Sequence, residues 1–268
     1  MIERITCVDC VFELQRMFYD TDDRVQLTVT SPPYYNARDY SHWSTYKDYI
    51  NWLYDVFVNV FNVTEDGRMC CVNVSPVIQP RMSRSGESCR LPIPFDLVNI
   101  MTAMGWKFID DIIWLKPEGA APNRNGIFNR MRKPMMYKPN VVTEYILVFQ
   151  KPMDGLIDKI LRRTPDDVME KSLVVGDYDR SNVWKMNPER KNGHPAPFPL
   201  ELPERLIKYY SFVGDTVLDP FLGSGTTAVA AKRLGRGYIG IETKQEYIDI
   251  ANKRLEKYGS NRKETGEG

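Results

Sequence analysis

The sequence predicts an α/β protein with a mostly parallel sheet. Short β-branched or apolar runs alternate along the chain with amphipathic segments, the pattern of parallel strands joined by crossover helices. One such run, near the C-terminus, leads directly into a glycine-bearing turn and a helix pattern. One pair of runs has no helix pattern between its members, which places an antiparallel pair at one edge of the sheet.

Strands are expected at 5–7, 25–30, 69–74, 107–114, 144–149, 216–218 and 238–241, and helices at 11–18, 46–61, 94–104, 203–210, 226–234 and 245–257. The run 25–30 is β-branched and apolar, and ends on a Pro-Pro turn. The run 69–74 holds Cys70 and Cys71 in what reads as a buried strand. Between 107–114 and 144–149 lies a segment containing Gly, Pro and Asn, and these two runs form the antiparallel pair. The segment 151–193 mixes Pro, Asp, Arg and Lys with weak periodicity and reads as an insertion rather than core. The polar residues 259–268 read as a flexible tail.

A chain of 268 residues, 43% hydrophobic and 26% charged, suffices for one large core, so a single domain over 1–258 is expected, with insertions at about 118–140 and 151–193. The N-terminus lacks a basic segment followed by an apolar run, and no stretch is long enough to cross a bilayer; a cytoplasmic protein without membrane contact is expected. Five cysteines without a secretory signal point to reduced thiols. Cys7 and Cys10 form a Cys-x-x-Cys, but no second pair follows at zinc-ribbon spacing, so no metal site is expected.

The net charge of +1 does not mark a nucleic-acid binder, because phosphate contacts need local rather than global positive charge. Lys116, Arg124, Arg130, Arg132, Lys133 and Lys138 are set against the single acid Glu118 in one loop. Alone, such a run is most often a solvated surface.

Two constellations carry chemistry. In Thr216-Val-Leu-Asp219-Pro220-Phe221-Leu-Gly223-Ser-Gly225-Thr226-Thr-Ala228, a strand enters a glycine turn and then a helix, letting backbone approach a nucleotide-like ligand without Cβ clashes. Glu242 closes the next strand at the spacing where an acid holds the two hydroxyls of a ribose. Together they mark an adenosine-type cofactor site. Gly223-x-Gly225-x-x-Ala228 also satisfies the dinucleotide fingerprint, so a nicotinamide-dependent dehydrogenase is a rival reading; a ligand-free tight turn explains the glycines but neither Asp219 nor Glu242.

The second constellation is Ser31-Pro32-Pro33-Tyr34, directly after the strand 25–30. Two prolines fix φ and supply no N–H, so the turn presents rigid carbonyl acceptors with an aromatic ring beside them. A nucleobase exocyclic amine is a poor nucleophile because its lone pair is delocalised into the ring. Accepting its two N–H groups at Ser31 Oγ and the Pro32 carbonyl favours a tetrahedral nitrogen, and Tyr34 stacks on the extruded base. As a bare turn, Pro-Pro is merely stiff.

Together these residues resemble the amino-methylating DNA methyltransferases, in which S/D/N-P-P-Y/F/W is the catalytic motif and D-P-F-x-G-x-G-T-T binds S-adenosylmethionine. The order, with the catalytic motif first, is similar to the permuted β-type group, over residues 5–257 and least across 151–193. The resemblance implies a Rossmann-like, doubly wound methyltransferase fold with seven mostly parallel strands, an antiparallel hairpin and circularly permuted motifs. It implies a cofactor site of Asp9, His194, Pro195, Phe198, Asp219, Pro220, Phe221, Gly223, Gly225, Thr226 and Glu242. Asp9 follows Val8 where the family usually has glycine. His194, Pro195 and Phe198 enter by the resemblance alone; on their own terms they read as a loop histidine and a rigid connector.

The activity implied is methyl transfer from S-adenosylmethionine to the exocyclic amine of a flipped base in DNA. N4 of cytosine is favoured over N6 of adenine, because in the family Ser is commoner than Asp at the first motif position among cytosine enzymes. The partner implied is double-stranded DNA, read through the two insertions and contacted by Arg124, Arg130, Arg132 and Lys133; whether a cognate restriction endonuclease exists, and whether the protein is a monomer or a homodimer, stay open. The stretches 113–117 and 143–149 are similar to the family's framework strands. RNA or protein-amide methylation, the dehydrogenase and a noncatalytic DNA-binding protein are the remaining readings.

Overall fold

The computed structural model describes residues 1–35, 43–79, 88–120, 126–189 and 198–264, with the backbone alone of 126–128 and 258–264. In chain order these form β1 (Glu3–Cys7), α1 (Cys10–Asp20), β2 (Val25–Thr30), α2 (Tyr46–Val63), β3 (Thr64–Val74), β4 (Val77–Gln79), β5 (Cys89–Leu91), α3 (Ile93–Ala103), β6 (Lys107–Leu115) and α4 (Gly126–Met131). There follow β7 (Thr143–Gln150), α5 (Asp158–Arg163), α6 (Asp166–Ser172), β8 (Val183–Lys185), α7 (Glu201–Tyr210), β9 (Thr216–Asp219), α8 (Thr226–Arg233), β10 (Gly237–Glu242) and α9 (Gln245–Glu264).

The main sheet has the order β1-β10-β9-β2-β3-β7-β6-β8, and β4 pairs β5 in a separate ribbon. All pairings in the main sheet are parallel except those of β7, which runs against both β3 and β6. Each of the seven expected strands is present. The eighth is a correction: β8 comes from the segment read as an insertion and pairs Val183, Trp184 and Lys185 with Ile113, Trp114 and Leu115. Trp184 and Met186 are buried, and Trp114 Nε1 donates to the Met186 carbonyl at 2.9 Å. Three residues are too few for a period-2 pattern, so only the tertiary contacts disclose this strand. It also makes β6 internal, where the antiparallel pair was expected at the edge.

The helices form for local reasons that agree with their packing. Thr45 and Asp48 close a capping box at the start of α2, whose Tyr49, Leu53, Val56, Phe57, Val60 and Val63 then line one buried face. On that side of the sheet α1, α2 and α3 pack with Leu14, Met17, Leu97 and Met101 against Val72, Val74 and Phe149. On the other side α7, α8 and α9 bring Leu206, Val229 and Leu255 against Leu27, Val29, Cys71 and Val148. The adjacent Cys70 and Cys71 thus point to opposite faces, as successive strand residues must.

Helix α9 continues through Glu264, into the stretch read as a polar tail. Arg262, Lys263 and Glu264 are good helix formers, and a polar composition alone does not end a helix. Among the described residues, no helix is long and apolar enough to cross a membrane.

Candidate active site

The strand directions bring both sequence constellations to one edge. The carboxyl ends of β1, β10, β9, β2, β3 and β6 face that edge, and because β7 is reversed it contributes its amino end there, with Tyr145 opposite Val74 and Thr143 opposite Leu115. The turns after β2 and β9 leave neighbouring strands, the arrangement in which open α/β sheets form ligand clefts.

The glycine turn is built from backbone constraints. Gly223 and Gly225 both have positive φ, 52° and 80°, a region that excludes most side chains. A Cβ on Gly225 would sit 2.6 Å from the Ala251 Cβ, so α9 packs directly against the turn. Arg254 of α9 ties the same turn down, donating to the Ser224 carbonyl and to the hydroxyls of Ser224 and Thr226 at 2.8–3.0 Å. Glu242 completes it: Oε2 accepts from Gly223 N at 2.9 Å, while Oε1 accepts from Thr243 N and Lys244 N at 2.9 and 3.0 Å.

Asp219 braces the turn from inside the sheet. The side chain is 2% exposed and turned inward, with Oδ1 accepting from Thr30 Oγ1 at 2.7 Å and from Phe221 N at 3.1 Å. Burial raises its pKa to about 6, against the opposing hydrogen bonds from Thr30 and Thr227. Pro220 is buried, and the Phe221 ring, half-buried, lies 5.4 Å from that of Trp52. Asp9 caps α1, its Oδ1 accepting from Val11 N and Phe12 N. It follows β1 directly, where Cys7 pairs with Glu242 and Val8 N donates to the Glu242 carbonyl. Phe198 packs against the α7–α9 side of the core. His194 and Pro195 lie outside the described residues.

Around the second constellation is a polar cluster. The Tyr34 hydroxyl donates to Glu144 Oε2 at 3.0 Å, and Asn73 Nδ2 donates to the same oxygen at 2.7 Å. Asn73 Nδ2 also lies 3.5 Å from Ser31 Oγ. Lys116 Nζ is ion-paired with Glu144 Oε1 and sits 4.4 Å from the Trp114 ring centroid. Burial, and then the nearby Glu144 carboxylate, hold the Tyr34 phenol well above its usual pKa, so it remains a neutral donor. Pro32 is buried, which fixes the turn.

Of the expected DNA contacts, Arg130, Arg132 and Lys133 are exposed and Arg124 lies outside the described residues. Their segment also exposes Met131, Met135 and Tyr137. It runs from the carboxyl end of β6 to the amino end of β7, so both its anchors stand at the edge that carries the two turns.

The family model of the N6/N4 DNA methylases matches residues 25–253, a span that takes in both turns and every strand of the main sheet but β1. The chain belongs to this DNA methylase family. The methylase is 32% identical over 244 residues to the Type II methyltransferase M.ScaI of Streptomyces caespitosus, covering 86% of this chain and 74% of that one. It is 29% identical over 243 residues to the Type II beta methyltransferase M.BslI of Bacillus sp. (strain NEB-606), where the match covers 87% of this chain but spans only 26% of that protein. Among solved structures, the candidate DNA modification methylase TTHA0409 of Thermus thermophilus superposes with a TM-score of 0.74 at 28% identity, over 96% of this chain and 95% of that one. The same protein complexed with S-adenosyl-L-methionine gives a TM-score of 0.69.

Read as strand framework, 69–74, 113–117 and 143–149 hid three polar residues that cluster beside Ser31 and Tyr34: Asn73, Lys116 and Glu144. A signal was present, since Asn73 and Glu144 are hydrophilic residues at the ends of otherwise apolar strands. Their mutual contact is tertiary, across β3, β7 and β6, and has no local signature.

Proposed function

We propose that this chain is a DNA methyltransferase that transfers a methyl group from S-adenosylmethionine to the exocyclic amine of a flipped base, with N4 of cytosine favoured and N6 of adenine the alternative. The observation that carries it is the junction of the two turns. A glycine turn of the cofactor type and a Ser-Pro-Pro-Tyr turn leave adjacent strands β9 and β2, and are joined through Thr30 and Asp219. A dehydrogenase or a noncatalytic DNA-binding protein has no use for that coupling. The relative solved with S-adenosyl-L-methionine supports the cofactor.

The residues fit such a cofactor by the chemistry of their donor set. Two carboxylates, Glu242 at the end of β10 and Asp9 two residues beyond the neighbouring β1, follow the carboxyl ends of their strands near a turn whose backbone takes positive φ at Gly223 and Gly225. Glu242 and Asp9 would hold the ribose and the adenine amine, Gly223, Gly225 and Thr226 would line the approach, and Phe221, with Phe198, His194 and Pro195, would close the apolar side. Asp219 and Pro220 act from beneath, fixing the turn. When bound, the cofactor supplies an electrophilic methyl on a positive sulfonium.

The chain's part is to present the amine. Ser31 Oγ and the Pro32 carbonyl accept its two N–H groups, restoring a directed lone pair, while the Tyr34 ring, anchored through its hydroxyl, supports the extruded base. The favoured cytosine target rests on Ser31, the residue commoner at this position among the cytosine enzymes of the resembling family; its hydroxyl both accepts from the amine and donates to the adjacent ring nitrogen, a pairing that adenine also offers. Arg124, Arg130, Arg132 and Lys133 supply phosphate contacts. The Type II names of the relatives support a cognate restriction endonuclease as the cellular counterpart.

Mass spectrometry of nucleosides from DNA of cells expressing the protein tests this reading. N4-methylcytosine is expected. N6-methyladenine instead moves the target base but keeps the reaction; neither nucleoside above background rejects the reading.

A further inference from the structure

We propose that the ion pair of Lys116 and Glu144 is a positioning device for the catalytic turn, acting on Ser31 and Tyr34 through Asn73 and the Tyr34 hydroxyl. This rests on the methyltransferase reading above. Glu144 stands at the amino end of β7 with its side chain 13% exposed, and Lys116 follows the carboxyl end of β6 at 20%. The carboxylate divides its two oxygens. Oε1 is neutralised by Lys116, and Oε2 accepts from Tyr34 and from Asn73, so one side chain holds groups from β2, β3 and β6 at once.

The orientation of Asn73 shows which partner dictates. Its Oδ1 is buried and has no hydrogen-bond partner among the described residues, while Nδ2 makes both of its contacts. An unpartnered buried acceptor is costly, and the reversed amide would relieve it only by turning Oδ1 onto the Glu144 carboxylate. The charge of Glu144 therefore fixes the amide with its N–H side toward Ser31. Tyr34 is likewise held with its hydroxyl as a donor to Glu144. The Asn73 amide beside the Ser31 hydroxyl and the Tyr34 hydroxyl of the same turn are thus oriented by one carboxylate. Lys116 in turn fixes that carboxylate, and Trp114 beneath it limits where the ammonium can go. Removing one partner of a largely buried ion pair leaves an uncompensated charge and costs stability, whereas removing both costs less, so the double variant and the melting temperature separate an effect on geometry from one on folding.

The experiment uses the full chain with S-adenosylmethionine and a duplex that the wild-type protein methylates. Glu144→Gln keeps the shape but removes the charge and one acceptor oxygen; Lys116→Met removes the cation. Each is expected to lower the single-turnover methylation rate at least about tenfold, with cofactor and DNA dissociation constants within about twofold of wild type. The double variant should lose no more than either single one, because the two residues act as a unit. Lys116→Arg should recover most of the loss seen with Lys116→Met. The proposal is overturned if Glu144→Gln and Lys116→Met turn over within about twofold of wild type, or if rate, cofactor affinity and melting temperature fall together, which is a folding role. A wild-type protein that methylates no DNA overturns the reading beneath it instead, so the two failures are distinct.

Discussion

Thr30 Oγ1 donates a 2.7 Å hydrogen bond to Asp219 Oδ1, joining the last residue of β2 to the last residue of β9. The bond is buried, so the acceptor's protonation state matters to the fold. The Asp219 pKa is raised from 3.8 to about 6. A carboxyl with a raised native pKa holds its proton longer in the folded state, so its contribution is full below the unfolded pKa and is lost as pH rises through about 6. Asp219→Asn keeps an acceptor for Thr30 and has no charge to bury. Relative to wild type it should gain up to about 3 kcal/mol between about pH 4 and pH 7. Urea unfolding at both pH values checks this; parallel pH curves for the two proteins count against it.

Gly225 and Gly214 have similar positive φ, 80° and 91°, but a Cβ at Gly225 meets Ala251 whereas at Gly214 nothing lies within 4 Å. Gly214→Ala should therefore cost only the left-handed strain, about 1–2 kcal/mol. Gly225→Ala should cost about 2–4 kcal/mol, because the clash adds to the strain. Equal losses in denaturant titrations would show that the packing of α9 on the turn has no energetic weight.

Glu242 accepts three backbone N–H groups that shape the end of β10 and the glycine turn. Glu242→Ala is expected to weaken S-adenosylmethionine binding at least about tenfold, losing both the ribose acceptor and the anchor of Gly223. Calorimetry on a variant that retains its circular dichroism spectrum is the measurement. Unchanged affinity removes Glu242 from the cofactor site.

Trp184 distinguishes a structural β8 from an appended one. It is 3% exposed in the α7–α9 side of the core. Trp184→Ala should destabilise the protein by about 3–5 kcal/mol, as for other buried aromatics. A loss under about 1 kcal/mol, typical of surface sites, would mean that β8 does not belong to the core.

For DNA, the log–log salt dependence of binding should flatten by about one unit for each phosphate contact removed in the variant lacking Arg124, Arg130, Arg132 and Lys133. Fluorescence anisotropy across a salt series measures it. An unchanged slope moves the DNA surface elsewhere on the protein.

What was legible in the sequence is what depends on local patterning. β2 was readable to the residue because Val25 to Thr30 is a β-branched run ended by two prolines, and α8 because it starts at a glycine turn. β8 was not, because three residues carry no period and Trp184 is explained by tertiary partners, Trp114 beside it in the sheet and Tyr209 of α7. The same holds within the site. Ser31 and Glu242 sit in motifs with fixed spacing, whereas Glu144 finds Asn73 and Tyr34 from 71 and 110 residues away, through strand order alone. Asp219 was legible as part of its turn, but its inward direction was not, since a motif records position and not which way a carboxylate points.

The reversal of β7 has an architectural consequence. A crossover between parallel strands must return from one end of the sheet to the other, so its length and course are bound up with the core. The connection from β6 to β7 is free of that demand, because it leaves and re-enters at the same edge. Residues between Lys116 and Val142 hang from two adjacent posts, already tied by Lys116 N donating to the Val142 carbonyl. Changes of length or sequence within that span are expected to leave the β6–β7 register in place, since both of its anchors lie at one edge of the sheet.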